Sequence, residues 1–291
     1  MKKNITKILI TLILIVLFVG IIFAYFYTRN SQNNEIVPDI DYEIVTNEEI
    51  STEEQTTFLE IISEQVLTEV TETTPESTTY EVLSDDNIEP LPTPETIVID
   101  ESNYCMLLVN NRYRMPDDYV VERAIAVEGY DIELQKDVAP HYQAMYDAAA
   151  ADGIYLTPYS GYRSYERQKT NYEYKTQTYL DMGYSETDAL ALAARIIMPP
   201  GSSEHNLGLA MDICGTDYDF DTTKEFAWLT EHAADYGFIL RYTREKQSIT
   251  KVVYEPWHWR YVGVENAYAI NASGLCLEEY LSQYGLMPQV Q

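Results

Sequence analysis

Cysteine is scarce: the 291-residue chain holds three, Cys105, Cys214 and Cys276, with no C-x-x-C pair among them. An odd number excludes a fully paired disulfide framework and leaves room for at most one intramolecular bridge. Lysine and arginine are also few, 19 against 47 acids, for a net charge of −28. So acidic a chain lacks the clustered cations that phosphates demand, and nucleic acid is set aside as a partner. Histidine occurs only at positions 141, 205, 232 and 258, and no internal repeat is visible.

The charges that are present are unevenly spread. Residues 31–100 carry 19 acids and no Lys or Arg, whereas residues 1–30 carry Lys2, Lys3, Lys7 and Arg29 and no acid. From Ile8 to Tyr27 every residue is apolar or aromatic except Thr11 and Gly20, and such a run as a helix spans the ~30 Å hydrocarbon core of a bilayer. We expect a transmembrane helix at 8–27 behind a cytoplasmic tail at 1–7. Three lysines before it and one arginine after it place the N-terminus inside and the remainder outside. A cleaved signal peptide is the rival reading, but the run is longer than an h-region and no small-x-small site follows it.

Residues 28–103 then read as an extracellular acidic tether rich in Thr, Glu, Ser and Pro, too polar to repay the entropy of folding. As a flexible coil it would reach about 45–50 Å, and further under its own repulsion. Within it, Ser51-x-x-Glu54 followed by Leu59, Ile62, Val66 and Val70 predicts a short stalk helix.

A folded domain is expected over 104–291, where charge becomes mixed and tyrosine abundant. Strands are predicted at Cys105–Asn110, Ile154–Pro158, Leu209–Cys214, Phe238–Tyr242 and Val252–Val262. Helices are predicted at His141–Asp152, from Ser164 to Met182, from Ser185 to Met198, from a Thr222-x-x-Glu225 capping box to Tyr236, and at Leu277–Tyr284. Strands and helices do not alternate as βαβ units, so the expected class is α+β with a small antiparallel sheet.

Two short stretches carry the chemistry. In Leu209–Cys214, alternation puts Ala210, Asp212 and Cys214 on one face. A carboxylate on an otherwise apolar strand needs a cation or strong donors, and His205 stands seven residues earlier across Gly208. Alone, this spacing suits a structural histidine as well as a ligand. In Trp257–Tyr261 alternation sends the two tryptophans and Tyr261 to one side, with His258 and Arg260 to the other. Glu255 would point away from His258 in a straight strand, but Pro256 is compatible with a bulge that turns both into one cavity. Taken together, two imidazoles, a carboxylate ligand and a second carboxylate make up the parts of a catalytic zinc site. Cys214 is aimed like Asp212, but ~6–7 Å along the strand it does not reach the same metal. His141 and His232, on helices outside any motif, are expected to be structural or solvent-facing.

Ser203-Glu204-His205-Asn206-Leu207-Gly208-Leu209-Ala210-Met211-Asp212 and Glu255-Pro256-Trp257-His258 resemble the two zinc motifs, S-x-H-x-x-G-x-A-x-D and E-P-W-H, of the VanY-type D-alanyl-D-alanine carboxypeptidases. Leu108-Val109-Asn110, Asp118-Tyr119, Ser160–Tyr165 with Gln168, and Tyr236–Tyr242 extend the resemblance over about 104–264. It implies that His205, Asp212 and His258 bind Zn²⁺ and that Glu255 is the general base. Arg163 would face the oxyanion or the substrate carboxylate, and Gln168 and Ser203 would line the substrate pocket. The implied partners are peptidoglycan stem peptides and, through Ile8–Tyr27, the membrane; no protein partner is expected. The first expectation is removal of a terminal D-alanine. An L,D-carboxypeptidase acting on tetrapeptide stems and a non-catalytic cell-wall binding module are the alternatives.

Overall fold

The computed structural model describes residues 88–291. The expected membrane span, most of the tether and the stalk helix lie outside the described residues. Among those described, no helix is long and apolar enough to cross a membrane.

Four antiparallel strands form the central sheet: β5 (Pro158–Ser160), β6 (Ala210–Ile213), β8 (Glu255–Tyr261) and β7 (Phe238–Tyr242), in the spatial order β5-β6-β8-β7. Two two-stranded ladders flank it in sequence, β1 (Glu95–Thr96) with β2 (Tyr113–Arg114), and β3 (Arg123–Ile125) with β4 (Glu133–Gln135). Both faces of the sheet are covered. Leu209, Met211, Ile213, Trp257 and Trp259 enter the main apolar core with Phe238. Helix α1 (Ala139–Ala151) packs there through Tyr142, Met145 and Ala149, the Tyr142 ring meeting Phe238 edge-on at 5.9 Å. On the other face Asp212, His258 and Arg260 are also buried, at 4 %, 4 % and 0 % exposure. A sheet face that buries charged groups must supply each with a partner.

The registers bring the chemistry together. Asp212 lies opposite His258 across β6–β8 and opposite Ser160 across β5–β6. Between β7 and β8 the ladder pairs Leu240 with Trp259 and then Tyr242 with Glu255. Two residues of β7 are thus matched by four of β8, and this bulge turns Glu255 toward His258 as the proline suggested.

Several helices follow their sequence signals. Ser164 caps α2 (Tyr165–Asp181) and Ser185 caps α3 (Glu186–Ala193), each hydroxyl accepting a backbone N–H of the first turn. Helix α4 (Lys224–His232) is capped by Thr223 rather than Thr222, and a 3-10 turn carries it on to Tyr236 and Gly237. The chain closes with α5 (Val264–Ser273), which the sequence reading missed, and α6 (Leu277–Gln283).

Three expectations are corrected. The strand expected at Cys105–Asn110 does not form: its first two residues close a 3-10 helix, Glu101–Met106, opened where the Asp100 carboxylate accepts from the Ser102 N–H and hydroxyl. Helix α3 stops at Ala193 instead of Met198; the Arg195 carbonyl accepts from Val253 N, and that of Met198 from Gln168 Nε2. The strand expected at Ile154–Pro158 begins at Pro158, since Ile154 N still bonds to Ala149 O at the end of α1. Residues ahead of Tyr104 already belong to this fold: Ile97 is fully buried and bridges to Val290. All three cysteines are free.

Two glycines near the site are required by close approach. A Cβ on Gly161 would stand 2.2 Å from the Glu133 carbonyl oxygen, and one on Gly208, at φ +64°, 2.6 Å from Gln135 N. Both contacts are with backbone, which cannot swing aside. Gly161→Ala is therefore expected to destabilise the domain by at least the ~1–3 kcal/mol of an overpacked core. Thermal melting against the unaltered protein checks this.

Candidate metal centre

A 3-10 turn, Glu204–Leu207, presents the first histidine. It opens at Ser203, whose hydroxyl accepts the His205 N–H at 3.3 Å, and closes at Gly208 in the left-handed region. Asn206 pins it from beneath, donating to Arg163 O at 2.7 Å and accepting from Gly201 N at 3.0 Å. His205 Nδ1 then lies 2.7 Å from Gly161 O. A carbonyl only accepts, so Nδ1 carries the proton, and Nε2 keeps its lone pair 3.3 Å from Asp212 Oδ2.

His258 is held in the opposite sense. Its Nε2 meets Glu204 Oε2 at 3.2 Å and its Nδ1 meets Asp212 Oδ1 at 3.1 Å. With Nε2 donating to Glu204, Nδ1 is the atom left for a metal. One donor atom each from His205, Asp212 and His258 lie within 4.8 Å of one another, all buried, the one such group among the described residues. Tyr242 packs its ring on His258 at a centroid distance of 4.9 Å and restrains it from the side.

Three N/O donors with no fourth protein ligand fit zinc in its catalytic rather than structural form. The electrostatics fit as well. Burial pushes the Glu255 carboxyl up to about 8, against the pull of His258. Burial opposes charge on His258, but its bonds to Asp212 and Glu204 outweigh that and carry it up to about 9. Asp212 stays well below the usual carboxylate range, its burial overcome by His205 and His258. A divalent cation on these donors would take the place of the proton on His258 and draw the neighbouring Glu255 carboxyl back toward the ionised form that a base needs.

Glu255, 6 % exposed, puts Oε2 3.8 Å from His258 Nδ1. Arg163 donates through Nη2 to Ser160 Oγ and through Nη1 to Gln168 Oε1, both at 2.9 Å, and Nη2 lies 3.8 Å from Asp212 Oδ2. Gln168 is 1 % exposed and its other end donates to Met198 O at 2.6 Å. Six of the seven residues singled out in the sequence thus converge through their side chains, and the seventh, Ser203, caps the turn that carries His205.

Cys214 leaves the strand at φ 63° and turns its Sγ to Tyr155 O at 3.4 Å, on the surface. The alternation that aimed it beside Asp212 ends one residue too early, at Ile213. His141 packs on Tyr261 and His232 on Trp228, at 4.9 and 4.7 Å between ring centroids.

Sequence reasoning missed Glu204 as a partner of His258, and with it Arg241 and Arg260. Arg260 had a signal, since it lies two residues beyond His258 on the same face of β8. Glu204 had none beyond its place beside a ligand.

This geometry has counterparts among known proteins. Residues 131–264 match the family described as VanY, D-alanyl-D-alanine carboxypeptidase. A D-alanyl-D-alanine carboxypeptidase of Enterococcus faecalis (strain ATCC 700802 / V583) is 41% identical over 183 residues, covering 63% of this chain and 68% of that protein. The chain belongs to the VanY D-alanyl-D-alanine carboxypeptidase family. Among solved structures, the vancomycin-resistance D,D-pentapeptidase VanY from a VanB-type resistance cassette, a point variant in complex with Zn(II), superposes with a TM-score of 0.54. It is 40% identical, over 61% of this chain and 99% of that one. The LdcB LD-carboxypeptidase, 33% identical over 67% of this chain and 93% of that one, also superposes with a TM-score of 0.54. The VanY similarity therefore spans both zinc motifs, and His205, Asp212 and His258 form this chain's metal site.

Proposed function

We propose that this member of the VanY family is a zinc D,D-carboxypeptidase that removes the C-terminal D-alanine from peptidoglycan stem peptides. It would act outside the cell, anchored by the apolar run Ile8–Tyr27 and held off the membrane by the acidic tether. The observation that carries an enzymatic reading is the bulge at Glu255. It places a buried carboxylate 3.8 Å from a metal-binding imidazole without making it one of the three donors. A binding module needs the metal at most; a hydrolase needs this extra base.

His205 Nε2, Asp212 and His258 Nδ1 would hold the zinc ion, which when bound would supply Lewis acidity to the scissile carbonyl and to the attacking water. Glu255 takes the proton of the attacking water and passes it to the departing amine of D-alanine. Arg163 brings a fixed positive charge beside Asp212 for negatively charged oxygen of the reacting chain end, the developing oxyanion or the terminal carboxylate. Gln168, engaged at both ends, acts through Arg163 by holding its guanidinium in place, and Ser203 acts through the His205 turn that it caps.

The similarity to LdcB supports a second reading, an L,D cut on tetrapeptide stems. Incubating the purified full-length chain with penta- and tetrapeptide muropeptides separately, and weighing the products by mass spectrometry, decides between the two. The expected result is loss of one alanine from the pentapeptide and an unchanged tetrapeptide. Loss from the tetrapeptide alone transfers the assignment to the L,D bond, and no loss from either overturns the peptidase reading.

A further inference from the structure

Glu204 is 1 % exposed, as deeply buried as any residue at the site, and the reaction as derived above gives it no proton to move. Its surroundings show what it does. Oε1 accepts from Arg241 Nε and from Arg260 Nη1, both at 2.7 Å, while Oε2 accepts from His258 Nε2. Both guanidinium groups have side chains at 0 % exposure. Arg260 spends its remaining donors on the carbonyls of Cys105, Leu107 and Tyr261. Arg241 spends its two on one carboxylate, with Nη1 to Glu278 Oε2 at 2.9 Å and Nη2 to Glu278 Oε1 at 2.6 Å. Two carboxylates and two guanidinium groups close a buried cluster with no net charge, in which every guanidinium nitrogen has an acceptor.

We infer that Glu278, on the C-terminal helix α6, is a positioning residue for the zinc site, acting through Arg241 and Glu204 on the ring of His258. The argument is one of competition for acceptors. The Arg241 fork satisfies its two terminal nitrogens on Glu278, so it approaches Glu204 through Nε alone and on Oε1 alone. Oε2 is thereby reserved for His258. Without the Glu278 carboxylate, two buried N–H donors lose their acceptors, and the nearest buried anion is Glu204 itself. A guanidinium that turns to take both of its oxygens displaces the His258 Nε2–H. The ring then loses the contact that fixes both its direction and the nitrogen it offers to the metal.

Glu278 lies beyond residues 131–264, the segment matched by the family, and so do Cys105, Leu107 and Asn110, the last donating to Glu278 Oε1 at 3.3 Å. The flanks of the family segment are thus wired to the metal site from both ends of the domain. The inference rests on the metal site and not on which peptide bond is cut.

The test uses full-length chains carrying Glu278→Gln, Glu278→Asp and, as a control on the same helix, Glu279→Gln. The last removes the charge of the Lys246–Glu279 ion pair, keeps an oxygen for the α6 capping bond, and does not touch the cluster. Zinc affinity is measured by chelator competition, and the ligand field by the visible spectrum of the cobalt(II)-substituted protein. Glu278→Gln is expected to weaken zinc binding by about 10–100-fold, the usual effect of losing an outer partner of a metal-bound histidine. Its cobalt spectrum should shift, Glu278→Asp should recover part of both, and Glu279→Gln should move neither. An unchanged affinity and spectrum in folded Glu278→Gln overturns the inference, as does an equal loss in Glu279→Gln, which would reduce α6 to a general prop. If Glu278→Gln does not fold, Glu278→Asp is judged by the same readouts against the same control.

Discussion

Glu255→Gln is expected to lower D-alanine release by about 10²–10⁴-fold, the usual contribution of a positioned general acid–base group, while the protein keeps its zinc. The substitution is nearly isosteric in a pocket where the side chain is 6 % exposed, so it neither opens a cavity nor loosens the bulge. What it removes is the capacity to accept a proton. Because His205, Asp212 and His258 supply the donor set without Glu255, zinc content measured by atomic absorption should match the unaltered protein. The two readouts separate the possible roles. Release that persists at the original rate removes Glu255 from the mechanism, and loss of zinc together with activity makes it a ligand instead of a base.

The parts of this site that were legible in the sequence are those fixed by short-range geometry. Period-two alternation placed the tryptophans in the core and His258 with Arg260 on the other face, because β8 is an ordinary strand from Trp257 onward. Pro256 announced the bulge. The antiparallel sheet was legible too, since β6 and β7 are short, mostly apolar runs and β8 alternates from Trp257 onward.

What could not be read were the contacts that depend on register and on pieces distant in sequence. Nothing local says that Glu204 meets Arg241, or that Arg241 meets Glu278 across 37 residues. The same holds for the errors of extent. The sequence past Ala193 stays largely apolar up to Met198, but helix α3 ends where the carbonyls of Arg195 and Met198 are claimed by Val253 and Gln168. Cys214 failed for the converse reason: alternation continues on paper, whereas the backbone turns to φ 63° at that residue even though its N–H still bonds to Thr157 O. Propensity sets what a segment can do, and the tertiary acceptor decides where it stops.

His205→Ala carries the other large effect, and its consequences go beyond the metal. The change takes away one of three donors, so zinc affinity should fall by well over 100-fold, more than the 10–100-fold for an outer-shell partner, and D-alanine release should vanish with it. It also strips Gly161 O of its 2.7 Å donor, leaving a buried carbonyl short of a partner. Such a group costs about 1–3 kcal/mol. The metal-free variant should therefore melt below the metal-free parent, and added zinc, which stabilises the parent by mass action, should raise its melting point little. Full zinc occupancy in His205→Ala would remove His205 from the ligand set. Glu255 would then be the nearest carboxylate able to complete it, and its replacement by Gln would have to release zinc. The two substitutions thus constrain each other: if Glu255 is the base, zinc must be lost from His205→Ala and kept by Glu255→Gln.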